Sequence, residues 1–177
     1  MLGVPAANTA VILADVANTR YFETLLGATA AKQGKPEPEV ARAASNWLVS
    51  ELFGALNRLG RDIEDSPVTP RQGAELLALI ADGTLSGTLA KQVFEIMLET
   101  GDDPARIVEE RGLKQTSDTG AIEAEIAKIL AANADKVADY RGGKDKLFGF
   151  FVGQTMKAMA GKGNPAVVNE LLKKALG

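Results

Sequence analysis

The chain has 177 residues and a mass of 18.6 kDa, room for one ordinary domain or two small ones. Hydrophobic residues make up 46%, aromatics only 5%, and 28 positions are Ala, which excludes wholesale disorder and favours helix over sheet. With no Cys, no His and a net charge of −3, the chain cannot form disulfides, Cys/His zinc sites or Ser-His and Cys-His catalytic pairs, and is not basic enough overall to be a whole-chain nucleic-acid binder.

The first stretch, Met1 to Ala14, is weakly polar, contains Pro5, Asn8 and Thr9 and lacks a basic lead, so it is a poor signal peptide. Gly3 and Pro5 so soon after Met1 suggest either an artificial start or a junction within a longer protein. No segment reaches the roughly 18 apolar residues that span a bilayer, and the absence of Cys fits a cytoplasmic chain.

Helix punctuation then runs the whole length. Pro36, Pro70, Pro104 and Pro165 mark starts, and Thr69, Asp103 and Asn164 each place a capping side chain before a Pro at the first helical position. Thr69 and Gln72 have capping-box spacing. Gly27, Gly60, Gly83, Gly101, Gly112 and Gly161 read as stops. Between them apolar residues step by three and four: Val40, Ala44, Trp47, Leu48, Leu52, Leu56; then Leu76, Leu77, Ile80; Leu89, Val93, Ile96, Met97; Ile122, Ile126, Ile129, Leu130; and Val168, Leu171, Leu172, Ala175. The pattern predicts an all-α fold of eight or nine helices and no sheet, with Arg61 to Thr69 as a surface loop.

Charge divides the chain. Residues 61–116 carry six basic and eleven acidic side chains, whereas 141–177 carry seven basic and two acidic. The aperiodic stretch Leu113 to Asp118 lies between these regimes. It predicts a helical domain over residues 1–113, a small helical tail domain over 114–177, and a mobile link at Lys114 to Ser117.

The patterns that would carry catalysis are incomplete. Gly161-x-Gly163-x-x-Ala166 matches the dinucleotide-binding text but follows a helix where that motif needs a strand. Gly143-Lys144 is no phosphate loop, because Asp145 stands where Ser or Thr must reach magnesium. Asp102/Asp103 and Glu109/Glu110 read as a cap and a solvated face, and neither Ser86 nor Ser117 has the context of an activated nucleophile. No catalytic, cofactor-binding or metal-ligating residue is assigned.

One constellation remains. On a helix from about Lys144 to Ala160, with Gly153 at zero degrees, Lys146, Gly149, Lys157 and Ala160 fall within about 40° of it at 100° per residue. Leu147, Phe148, Phe151, Val152, Met156 and Met159 take the other side, and Phe150 flanks the strip at about 60°. A bare strip between two lysines fits either close packing against another helix or a sugar–phosphate backbone lying on it.

The run Asp139-Tyr140-Arg141-Gly142-Gly143-Lys144-Asp145-Lys146-Leu147-Phe148-Gly149-Phe150-Phe151-Val152-Gly153-Gln154-Thr155-Met156-Lys157, followed by Gly161-Lys162-Gly163-Asn164-Pro165, carries a family likeness. So do Ala44-Ser45-Asn46-Trp47-Leu48, Ala90-Lys91-Gln92-Val93-Phe94 and Ile107 to Leu113 upstream. In order, these resemble the C-terminal part of the B subunit of aspartyl/glutamyl-tRNA amidotransferases: a helical domain followed by a YqeY-like tail. Ser45, where Ala is usual, and Ala134, where Pro often follows Asn133, are small departures.

The resemblance implies a non-catalytic, tRNA-binding region that helps position misacylated Asp-tRNA(Asn) or Glu-tRNA(Gln) for ATP- and glutamine-dependent transamidation. ATP and magnesium would belong to an N-terminal cradle domain that this chain lacks, so the chain alone is expected to be inactive. The amidotransferase A and C subunits would be its partners through the full-length protein. The candidate tRNA-binding residues are Arg141, Lys144, Lys146, Gly149, Gly153, Gln154, Lys157 and Lys162. The alternative is a helical protein-interaction module resembling the free-standing YqeY-like proteins.

Overall fold

A computed structural model describes residues 3–177; Met1, where the sequence suggests a junction, lies outside them. The described residues are helical, with no strand among them and a single parallel bridge between Thr116 and Gly163. The chain divides into two compact units. One takes the residues up to Thr84 together with Ala90–Gly112; the other takes Leu85–Leu89 and Leu113–Gly177.

The front unit holds α1 (Ala6–Leu13), α2 (Val16–Gln33), α3 (Glu37–Asn46), a π-helical turn (Trp47–Leu52) running straight into α4 (Phe53–Leu59), a 3-10 turn (Ile63–Asp65), α5 (Pro70–Ala81), most of α6 (Gly87–Thr100) and α7 (Pro104–Arg111). Leu25 and Leu26 of α2, Leu48 and Leu52 of the π turn, and Leu76 of α5 are buried. The π turn has a cause in the sequence. Ala44, Leu48, Leu52 and Leu56 are four apart, and three such steps drift by about 120° around an ideal α-helix. Widening the helix to i→i+5 bonds, as Phe53 N–H to the Leu48 carbonyl, takes up that drift and keeps all four side chains inward.

Local signals place most ends. Thr69 and Gln72 form the full capping box, with Gln72 N–H donating to Thr69 Oγ1 at 3.3 Å and Thr69 N–H donating to Gln72 Oε1 at 2.9 Å. Asn164 caps the last helix, α11 (Pro165–Leu176), through its side chain. Asp103 occupies the N-cap position of α7 without bonding the helix; its carboxylate accepts from Gln72 Nε2 instead, at 3.1 Å. Gly60 and Gly112 end their helices in the left-handed region. Gly27 does not stop a helix. α2 runs through it to Gly34 (φ 62°), because Leu25, Leu26 and Thr29 around it are all buried and tertiary packing outweighs the weak local stop.

The expected surface loop at Arg61 to Thr69 is anchored. Val68 is fully buried, and its carbonyl accepts from Tyr21 Oη at 2.7 Å and from Ser66 Oγ at 2.8 Å. Burial pushes the Tyr21 phenol up from its ordinary range, only partly offset by the Ser66 hydroxyl, so it stays a neutral donor. Ser45 is equally satisfied: its hydroxyl donates to the Arg42 carbonyl and accepts from Asn8 Nδ2.

Gly73 is where α5 needs a glycine. A Cβ there would lie 2.7 Å from two ring atoms of Trp47 and 3.1 Å from Leu25 Cδ1. The indole is itself buried and set edge-on to Phe94 at 5.5 Å, so it has little room to yield. Gly73→Ala gains about 1 kcal/mol of helix propensity but overpacks this contact at a cost of about 1–3 kcal/mol. The expected result is a lower melting temperature and an altered emission of Trp47, the sole Trp of the chain, in a thermal melt followed by fluorescence. A stabilised variant would show that the ring can move aside.

The rear unit is built on α8 (Thr119–Ala132), α9 (Ala134–Arg141), α10 (Leu147–Ala158) and α11. Its core is Ile122, Ile126, Phe151, Val168, Leu172 and Leu176, contributed by α8, α10 and α11, which all pack on one another. Ala134 opens α9 at the first helical position, where Pro is also well tolerated. The segment read as a mobile link is partly tied into this unit. Thr116 N–H donates to the Lys162 carbonyl at 2.6 Å, the Thr116 carbonyl accepts from Asn164 N–H at 2.8 Å, and Ser117 Oγ accepts from Asn164 Nδ2 at 3.1 Å.

Candidate nucleic-acid interface

Helix α10 is shorter than its sequence pattern. Gly142 and Gly143, the latter at φ 100°, turn the chain so that the helix begins at Leu147 rather than Lys144. It closes with a Schellman arrangement, Gly161 N–H to the Met156 carbonyl at 2.8 Å and Ala160 N–H to the Lys157 carbonyl at 3.0 Å. Ala160, not Gly161, takes the first left-handed position, at φ 50°. The Gly161/Gly163 pair is therefore a turn between helices, and Gly163 is held close by Met159 Sδ (2.9 Å) and Val168 Cγ2 (3.2 Å) from its ideal Cβ position.

One face of α10 is core. Phe151 and Thr155, one turn apart, are fully buried, and the Thr155 hydroxyl donates to the Phe151 carbonyl at 2.9 Å, leaving no orphan polar atom. Leu147, Phe148, Val152, Met156 and Met159 pack around them. Phe150 lies at the border of this face: it is half-buried, packs against the core and meets Phe151 edge-on at 5.4 Å.

The other face is open. Gly149 and Gly153 are exposed, and a Cβ at either would meet no atom of the described residues within 4 Å. Within the rear unit, then, no helix of the described residues closes a seam on these glycines. Two helix-interior glycines cost about 1 kcal/mol each relative to Ala, and nothing inside the unit recovers that.

The candidate cations separate into two groups. Lys146, at the N-cap with helical backbone angles, and Lys157, in the last turn, are exposed, and neither pairs with a carboxylate among the described residues. Gln154 is exposed on the same helix. Arg141 and Lys144 are engaged elsewhere. The Arg141 guanidinium donates to the carbonyls of Leu176 (3.0 Å) and Ala175 (3.4 Å), capping the end of α11, and Lys144 pairs with Asp139 at 2.9 Å. Lys162 is half-buried, with its backbone joined to Met159 and Thr116. A cation the sequence did not single out, Lys136 of α9, has its ammonium 5.0 Å from the centre of the Phe150 ring. No periodicity of α10 could reveal it, because it arrives from another helix.

The acidic pairs of the front unit hold structural partners: Arg106 bridges Asp102 and Glu110 at 3.2 and 2.8 Å. Among the described residues no group of three or more His, Cys, Asp or Glu converges as a metal site, and no helix is long and apolar enough to cross a membrane.

Comparison with known proteins gives the family. The model described as the GatB domain matches residues 20–176. The chain belongs to the GatB domain family. A relative from Rhizorhabdus wittichii is 80% identical over 176 residues, covering 99% of this chain and 35% of the relative. Those from Novosphingobium aromaticivorans and Zymomonas mobilis are 70% and 67% identical, each over 99% of this chain and 35% of the relative. All three are named as the B subunit of an aspartyl/glutamyl-tRNA(Asn/Gln) amidotransferase. This GatB domain chain thus spans about a third of the length of the relatives it matches.

Proposed function

We propose that this chain is a non-catalytic tRNA-binding region of an amidotransferase B subunit. It would help position Asp-tRNA(Asn) or Glu-tRNA(Gln) for transamidation, in the cytoplasm. The observation that carries this is the open Gly149–Gly153 strip flanked by unpaired Lys146 and Lys157, in a chain 80% identical to a protein named for tRNA(Asn/Gln). In this reading residues 1–113 form a helical domain and 114–177 a tail whose α10 face meets the RNA. ATP, magnesium and the A and C subunits act through the rest of the full-length protein.

The chemistry is simple. Two lysines whose backbones are roughly 16 Å apart along the helix axis would neutralise phosphates of one strand, and the glycines would let the backbone approach. Shape is read more than sequence, which suits a folded tRNA. A gel-shift titration of the full chain against a tRNA(Asn) transcript over a range of salt tests it. Lys146→Ala and Lys157→Ala should each flatten the salt slope by about one unit and weaken binding without lowering the melting temperature. Unchanged binding in both variants would favour the protein-interaction reading, in which the strip seats a helix of another protein.

A further inference from the structure

The two strip lysines leave a gap between them. Along α10, Phe150 is four residues beyond Lys146 and seven before Lys157, roughly 6 Å and 10 Å of helix rise. Phe150 also lies on the same edge as Lys157, about 60° and 40° from Gly153. Lys136 stands over the Phe150 ring, so its charge enters this gap from α9.

Lys136 is exposed and has no ion-pair partner among the described residues. The carboxylate at helical spacing from it, Asp139, is already held by Lys144 at 2.9 Å. The half-buried aromatic ring restrains the ammonium without neutralising it. A cation held in place and left uncompensated is suited to an anionic partner that arrives from outside.

We propose that Lys136 is a third phosphate-contacting cation of this face, positioned by Phe150 between Lys146 and Lys157. This rests on the reading of the α10 face as an RNA interface. In this reading the three lysines serve one edge of the glycine strip, and the middle one is supplied by a neighbouring helix. The set is therefore complete only when α9 and α10 are packed, which ties RNA affinity to the fold of the tail.

The test uses the full chain and a tRNA(Asn) transcript at about 50–300 mM KCl, the range over which phosphate contacts are lost. Lys136→Gln should weaken binding about five- to tenfold at about 0.1 M salt and lower the salt slope by about 0.7–0.9, the loss of one phosphate contact. Lys136→Arg should restore both. Phe150→Leu, which keeps the charge and frees it, should weaken binding about twofold and leave the slope unchanged. Parent-like binding in Lys136→Gln, with Lys146→Ala and Lys157→Ala impaired, would overturn this inference and leave the interface standing. Parent-like binding in all three would overturn both. A loss in Lys136→Gln that Lys136→Arg does not restore, with a matching fall in melting temperature, would assign Lys136 a packing role and also overturn the inference.

Discussion

Phe151→Ala is expected to melt the rear unit while the front unit stays folded. Phe151 is fully buried and is the largest side chain in the six-residue hydrophobic cluster at the centre of this unit. Truncating a buried Phe costs about 3–5 kcal/mol. A unit of some seventy residues has a total stability of roughly 3–10 kcal/mol, so this single change removes much or all of it. The molecule carries its own separate reporters. Trp47 is the sole Trp and lies in the front unit, whereas helical circular dichroism sums over both. The expected result is a loss of part of the helical signal at low temperature, with the Trp47 fluorescence transition kept near its parent midpoint. A fluorescence midpoint that falls together with the helical signal would show that the two units unfold as one.

Gly153→Leu is expected to separate binding from stability. A Cβ at residue 153 would meet no described atom within 4 Å, so Leu is expected to be accommodated there and to gain nearly 1 kcal/mol of helix propensity, about the Gly-to-Leu difference in a helix interior. Melting of the rear unit should hold or rise slightly. Binding of a tRNA transcript should fall at least tenfold, about 1.4 kcal/mol, because the side chain stands where a backbone would lie. Gly163→Leu is the contrasting control: its side chain would be driven into Met159 and Val168, and the unit should be destabilised. Parent-like tRNA binding in Gly153→Leu would remove the strip from the interface.

The capping box at Thr69, the side-chain cap at Asn164 and the core faces of α8 and α11 were all legible, because each depends on residues within a turn or two. The all-α class followed from the same short-range signals. The family likeness was legible too, from ordered motifs spanning nearly the whole chain. Gly27 misled because a glycine weakens a helix locally, while buried neighbours on the same helix decide whether it continues. The π turn had a trace in the four-residue spacing after Ala44, yet the inward packing that selects it comes from distant elements.

By itself the sequence determined the helical class, most helix ends and the charge division, and it singled out Lys146 and Lys157 as candidates at the two ends of one helix. Tertiary structure alone decided what each face meets. Gly73, Gly153 and Gly163 are the same residue with no side chain to betray its surroundings. One lies under an indole, one in open space and one against a methionine sulfur. Arg141, Lys144 and Lys136 likewise differ only in what folding brings within reach: helix-end carbonyls, a carboxylate and an aromatic ring. Helix signals act over a few residues, whereas the occupancy of a face and the pairing of a charge depend on chain segments brought together only by packing.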